Sequence, residues 1–278
     1  MSLFRVHQML SREVLAGKLK AAAVSLAVFA VFSIALLMAA RFWLYPDFMF
    51  ALDGGVQGLR LVLLVDLVLG PLLAFIIFNP GKSRGEQIMD IALVAVIQFS
   101  AMAWGSYQVW NERPVAVVYG GDRFVSVMPE IIRAQNVKPA DLQQYSDRKP
   151  PFVFRREPVG KSEQERLVVM IFKNFIHSEA QVWLFEKFFP NRETVFSRSA
   201  VISGYIDATM KESWLTWAEG RDQSRLTDYR FAFYQGRYAN AVLIFSPAGG
   251  YLGYLRLPGK IPALDVTSGQ DASVDKPH

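Results

Sequence analysis

Cysteine is absent from the 278 residues, which excludes disulfides, thiolate zinc sites, cysteine-ligated iron-sulfur clusters and thiol nucleophiles. Histidine is nearly absent: His7, His177 and His278 are too few and too far apart in sequence to make a metal site. No H-E-x-x-H, G-x-S-x-G or P-loop signature occurs. General-base work by His177 would need a positioned partner that the sequence does not supply. These absences favour binding over catalysis, imply no cofactor, and lead to the expectation that the chain is not an enzyme. Long basic runs are missing as well. The net charge of +5 and pI of about 9.4 raise a nucleic-acid partner. From Asn111 onward, however, 22 basic and 19 acidic residues are interspersed with no Lys/Arg run longer than two, so no basic stripe tracks a phosphate backbone.

Charge of either sign is scarce in the first part of the chain. Only 14 of the Asp, Glu, Lys and Arg residues fall at or before Trp110, against 41 in the following 168 positions. Two differently solvated halves are implied. Ala21 to Ala40 is a twenty-residue run without a charge, enough helix to span roughly 30 Å of hydrocarbon. Arg41, Phe42, Trp43 and Tyr45 follow it where a cleaved signal peptide would end in small residues, and the aromatics suit an interfacial belt. Leu61 to Phe78 reads as a second span and Ile91 to Trp110 as a third, the latter ending in Trp104, Tyr107 and Trp110. The expected fold is therefore a membrane protein with three N-terminal transmembrane helices (21–40, 61–78 and 91–110), followed by an α+β soluble domain (111–262) and a disordered tail (263–278).

Arg5, Arg12, Lys18 and Lys20 precede the first span, and Lys82 and Arg84 lie between the second and third. The positive-inside rule then puts the N-terminus in the cytoplasm and the C-terminal domain in the periplasm. Residues 1–20 suit a short amphipathic helix at the cytoplasmic interface, or a frayed leader. Asp66 stands inside the second span, where a charge costs at least about 2.5 kcal/mol and so faces protein or water. It lies at a depth similar to Ser33, with Gln98 and Ser100 slightly nearer the cytoplasm, a possible polar seam. Either Asp66 fixes the bundle through these neighbours or the seam faces a partner. Pro71 frees the carbonyl of Leu67 beside it. Gly70, Pro71, Ser33, Ser100 and Gly105 are small or helix-perturbing positions at which another helix can approach.

LDGG at Leu52–Gly55, VDLVLGPLLAFIIFNPGKSRGE across the second span, and DIALVAVIQFSAMAWGSYQVWNERPVAVVYGGDRFVSV after it resemble the type IV pilin accessory proteins, the TfpZ-like family found beside pilin genes. The likeness covers roughly residues 20 to 130 and returns at NAVLIFSPAGGYLGYLRL near the end; residues 136 to 228 carry no shared motif. It implies an inner-membrane, non-enzymatic helper of pilin production or assembly, with no catalytic residue to carry over. The expected partners are the lipid bilayer and a type IV major pilin, bound through its transmembrane helix and globular head. A membrane-anchored enzyme modifying pilin and a ligand sensor are the alternatives.

In the second half, PVAVVYGGDRFVSVM reads as a hairpin around Gly120, Gly121 and Asp122, and Pro129 to Gln135 as a short helix. ERLVVMIF reads as a buried strand, Ser178 to Phe188 as a helix capped by Ser178, and Ile206 to Glu219 as another helix. YRFAFYQGRY and NAVLIFSPAGGYLGYLRL supply further strands with a turn at Gly249 and Gly250, giving an antiparallel sheet. Phe172, Phe175, Trp183, Phe185, Phe188 and Phe189 cluster in sequence. Most must be core; any left outside form a patch of the kind that holds another protein.

Overall fold

The structure, a computed structural model, describes residues 12–64, 68, 70–77, 79, 81–221 and 225–263. Asp66, residues 1–11 of the expected leader and residues 264–278 of the expected tail lie outside the described residues. The chain forms two compact units: Met1–Phe50 with Gly54–Glu112, and Ala51–Asp53 with Arg113–His278.

In the first unit, helix α1 (Arg12–Ala39) continues into a π turn over Ala40–Leu44, closed by the Tyr45 amide donating to the Ala40 carbonyl at 2.8 Å. Residues 12–20 are thus the beginning of α1 rather than a separate interfacial helix. Phe42 and Trp43 are exposed as a belt requires, but Tyr45 is buried and its hydroxyl donates to the Val109 carbonyl at 3.2 Å. Short helices α2 (Phe48–Leu52), α3 (Gly55–Leu64) and α4 (Gly70–Ile77) follow, then α5 (Arg84–Asn111). A capping box starts α5: Ser83 Oγ accepts from the Glu86 amide, and the Ser83 amide donates to Glu86 Oε2 at 2.9 Å.

Two helices, Leu15–Leu44 and Arg84–Asn111, are long and apolar enough to cross a membrane. The second expected span is not one described helix. Gly55–Leu64 and Gly70–Ile77, the latter carrying Pro71, are described as helices, and residues 65–67 and 69 between them lie outside the described residues. Three spans are therefore not established.

The second unit carries a seven-stranded sheet made of β1 (Ala116–Tyr119), β2 (Arg123–Val127), β3 (Phe152–Arg155), β4 (Phe185–Lys187), β5 (Arg230–Gln235), β6 (Asn240–Phe245) and β7 (Tyr251–Arg256). Its order is β4-β3-β1-β2-β5-β6-β7. The sheet is mixed and not antiparallel as expected: β1 pairs with β3, and β2 with β5, in parallel. Parallel partners need long crossovers, and here more than twenty residues separate β2 from β3 and about a hundred separate β2 from β5. The hairpins β1-β2 and β5-β6-β7 match their sequence signals.

The helices between strands are α6 (Pro129–Arg133), α7 (Gly160–Phe172), α8 (Arg192–Val195), α9 (Ser199–Thr209) and α10 (Lys211–Ala218). ERLVVMIF belongs to α7, not to a strand; the run GKSEQER ahead of it is rich in helix formers. Ser178 to Phe188 is not a helix but two single 3-10 turns leading into β4, where pairing of Phe185–Lys187 with Val153–Arg155 overrides the helical spacing. Ile206 to Glu219 is broken at buried Met210, so that α9 and α10 are separate.

Both faces of the sheet are covered, which explains why NAVLIF is almost wholly buried instead of alternating. On one face, Ile202 and Ile206 of α9 and Trp214 of α10 pack on Phe231, Phe233, Val242 and Ile244. On the other, Phe124, Phe152, Phe188 and Phe245 stack at 5.3–6.1 Å. A Cβ on Gly253 of β7 would sit 2.5 Å from Trp217 Nε1. Gly253→Val is therefore expected to overpack this contact and destabilise the protein by about 1–3 kcal/mol, read as a lower thermal midpoint.

Candidate helix-binding groove and the buried Asp53 cluster

The sequence leaves four small or polar positions facing inward in the helical unit. Ser33 of α1 and Gln98 of α5 are buried, Gly70 is buried at the start of α4, and Ser25, which the seam argument missed, sits two turns before Ser33. Ser25 Oγ donates to Gln98 Oε1 at 3.5 Å, a long contact. A Cβ at Gly70 would collide with the Gln98 amide, so glycine is what lets that side chain lie over α4. Gly105 serves likewise, since its Cβ would meet Val62 Cγ2 of α3 at 2.9 Å. The close approaches at Gly70 and Gly105 are thus made inside the unit. Pro71 is half-buried beside Gly70, and Ser100 is exposed and takes no part.

Among the described residues, Ser33 Oγ and Gln98 Nε2 are buried without a hydrogen-bond partner. Such groups are costly wherever water is excluded, whether by protein or by lipid. Their burial makes a polar line through an otherwise apolar helix packing, reaching from Ser25 to Gln98 and Gly70.

Alongside that line, α1 and α5 leave a groove of about 430 Å³, walled by Val24, Val28 and Phe29 on one side and by Val94, Ala95 and Phe99 on the other. Ser25 and Gln98 lie at its floor, with Ala74 of α4. Phe99 lies with its ring centroid 5.4 and 5.5 Å from those of Phe29 and Phe32. Lys20 and Asp90 also line the groove. Asp90, read from sequence as a helix N-terminal charge, is paired with Lys82 at 2.6 Å. The walls are valine, alanine and phenylalanine side chains with few polar atoms, an apolar surface against which another apolar helix can pack.

The second unit holds a cluster for which the sequence offered only the LDGG string. Asp53 is fully buried and accepts three hydrogen bonds: from Ser126 Oγ at 2.9 Å, from the Arg237 amide at 3.2 Å, and from the Tyr234 hydroxyl. The Leu52 carbonyl accepts from the Tyr238 amide at 2.9 Å. Ser126 of β2 and Tyr234 of β5 come together because the parallel register sets Phe124 opposite Tyr234, on the face that Ser126 shares. Gly236 in the β5-β6 turn permits the approach, since a Cβ there would lie 2.7 Å from the Leu52 carbonyl. Burial pushes the Asp53 carboxyl above its ordinary value, although all three donors pull it down. Burial, followed by the Asp53 charge, raises Tyr234 well above the usual phenol range. Asp53 and Tyr234 are fully buried, Ser126 is half-buried and Arg237 is exposed. The cluster fastens Ala51–Asp53, a piece of the stretch between α1 and α3, into the sheet domain.

Three curated fimbrial assembly proteins of Dichelobacter nodosus are similar to part of the chain. The serogroup I protein is 48% identical over 59 residues, which is 21% of this chain and 23% of that protein. The protein of serogroups C1 and C2 is 47% identical over 55 residues, 20% of this chain and 42% of that protein. The serogroup E1 protein matches at 47% over 55 residues. The chain therefore spans less than half the length of the relatives it matches. No protein-family profile matches the chain. No solved structure matches it either.

Proposed function

We propose that this protein is an inner-membrane accessory protein or chaperone of type IV pilin, a binder and not an enzyme, whose helical unit shelters the apolar helix of a pilin subunit during pilus assembly. The observation that carries the reading is the apolar groove of about 430 Å³ lined by residues from Gly17 to Phe29 of α1 and from Asp90 to Phe99 of α5. Without a hydrophobic driving force between helices in lipid, association rests on close packing and on polar contacts, and small side chains such as Ala95 beside Ser25 and Gln98 supply both. The local similarity to fimbrial assembly proteins supports the same direction. Arg5, the basic residues Arg12, Lys18 and Lys20 in the first turns of α1, and Lys82 and Arg84 at the start of α5 favour a cytoplasmic N-terminus and a periplasmic sheet domain, placed to meet the pilin head.

The test is co-purification in mild detergent of the tagged protein with the co-encoded pilin, with intact mass of that pilin in the presence and absence of this gene. A stable complex and an unchanged mass are expected. A covalent mass change would replace the reading with that of a pilin-modifying enzyme, and absence of any complex would remove it.

A further inference from the structure

The break between α9 and α10 opens a cavity in the sheet domain. Met210, which separates the two helices, is buried among the residues that pack on β5, β6 and β7. Exposed Thr209 and Ser213 on either side of it line a cavity of about 740 Å³. The rest of the lining comes from Tyr238 to Asn240 at the β5-β6 turn and from Arg256 to Lys260, where the chain leaves β7. Met210 and Leu257, each 4% exposed, supply apolar surface within it.

The exit from β7 is held in place. The Leu257 amide donates to the Asn240 carbonyl at 2.9 Å, and Asn240 Nδ2 donates to the Gly259 carbonyl at 3.0 Å. Together with the fixed φ of Pro258, these bonds set the backbone from which Lys260 extends.

Charge distinguishes this cavity from the rest of the domain. Elsewhere, Arg123, Arg155 and Arg156 are paired with Asp122, Glu157 and Glu163. Arg256 and Lys260 both line the cavity, and among the described residues neither has a carboxylate or hydrogen-bond partner. No described aspartate or glutamate lines it. Asp207, one turn before Ser213 in sequence terms, is matched by Lys211 at 3.9 Å, and Glu212 stays outside the lining. Two uncompensated positive charges in one concavity attract an anion, and the hydroxyls of Thr209, Ser213 and Tyr238 are further donors. A carboxylate would offset only one of the two charges. A phosphate monoester carries about −1.5 to −2 at neutral pH and three acceptor oxygens, which suits both cations. The volume exceeds the needs of the phosphate alone and falls within the range of small-molecule sites, with Met210, Leu257 and Pro258 left to meet an organic body.

We propose that this cavity binds the phosphate monoester group of a small organic molecule, with Arg256 and Lys260 as its charge partners.

The full-length protein in an uncharged, phosphate-free detergent would be titrated calorimetrically with phenyl phosphate and with phenyl sulfate, a monoanion of the same shape. Saturable binding of phenyl phosphate is expected, about tenfold or more tighter than that of phenyl sulfate. Arg256→Gln and Lys260→Gln should each weaken it by about tenfold or more, with unchanged thermal midpoints in the absence of ligand because both side chains are exposed. Arg256→Lys keeps the charge and should lose less, and Lys161→Gln, at an exposed lysine of α7, should lose nothing. No saturable binding, or undiminished binding by both glutamine variants, would overturn the proposal. Equal affinity for phenyl sulfate would overturn the monoester assignment. Glycerophosphoglycerol, the diester headgroup of phosphatidylglycerol, should compete poorly; competition equal to that of phenyl phosphate would overturn the proposal in favour of a lipid headgroup.

Discussion

Asp53→Ala lowers the thermal midpoint of the full-length protein by about 6–12 °C, the largest stability loss expected from any single substitution outside the aromatic core. The carboxylate receives Ser126, Tyr234 and the Arg237 amide in a buried setting, and alanine leaves these donors without it at a cost of about 3 kcal/mol in total. Asp53→Asn keeps an oxygen for Ser126 and Arg237 and can donate to the Tyr234 oxygen, so it loses less. The two variants also differ in pH response. Burial holds the folded-state carboxyl above 3.8, so between 3.8 and its raised value the folded chain binds more protons than the unfolded chain. The stability contributed by this group is fully present below 3.8 and is lost as pH rises through the raised value. Midpoints measured upward from about pH 4 should show that decline in the parent and not in Asp53→Asn. Equal slopes would mean that Asp53 is not the titrating group.

If the groove holds a pilin helix as proposed, Ala95→Trp is expected to reduce co-purified pilin by about tenfold or more while the protein still accumulates in the membrane fraction. Ala95 is half-buried on the groove wall, and an indole there fills the space between α1 and α5 that an incoming helix would occupy. A tenfold loss corresponds to only about 1.4 kcal/mol, less than a blocked helix-helix contact is expected to cost. Ser100→Trp, on the exposed side of the same helix, is the matched control and should leave capture intact. Equal capture by both variants would place the pilin contact elsewhere.

Elements whose stability is local were legible in the sequence. The charge-free run 21–40 forms most of α1, the Gly-Gly-Asp turn joins β1 to β2, and Gly249-Gly250 joins β6 to β7. Elements decided by distant partners were not. LVVMIF has the composition of a buried strand, but it forms a helix anchored through Glu163 by Arg156, with Met170 packed on the core and Val168, Val169 and Phe172 exposed. Phe185–Lys187 has helical spacing but is claimed by β3. Ser33, Gln98 and Gly70 were identified by polarity and size, and two of them meet; Ser25 was passed over because a serine in a membrane helix carries no signal until its neighbour is known. Asp53 resembled an ordinary loop carboxylate, since its partners Ser126 and Tyr234 are 73 and 181 positions away.

That last separation sets an order of events during biosynthesis. Asp53 emerges long before Tyr234, and at about 5–20 residues per second the loop waits roughly 10–40 s for the strand that will hold it. If the chain spans a bilayer as proposed and the loop between α1 and α3 is left on the side opposite the sheet domain, no amount of waiting brings it to Ser126 and Tyr234. The sheet domain then closes without its carboxylate and stays less stable than its correctly inserted counterpart. Under the membrane reading proposed above, completion of the fold thereby becomes a check on the insertion that preceded it.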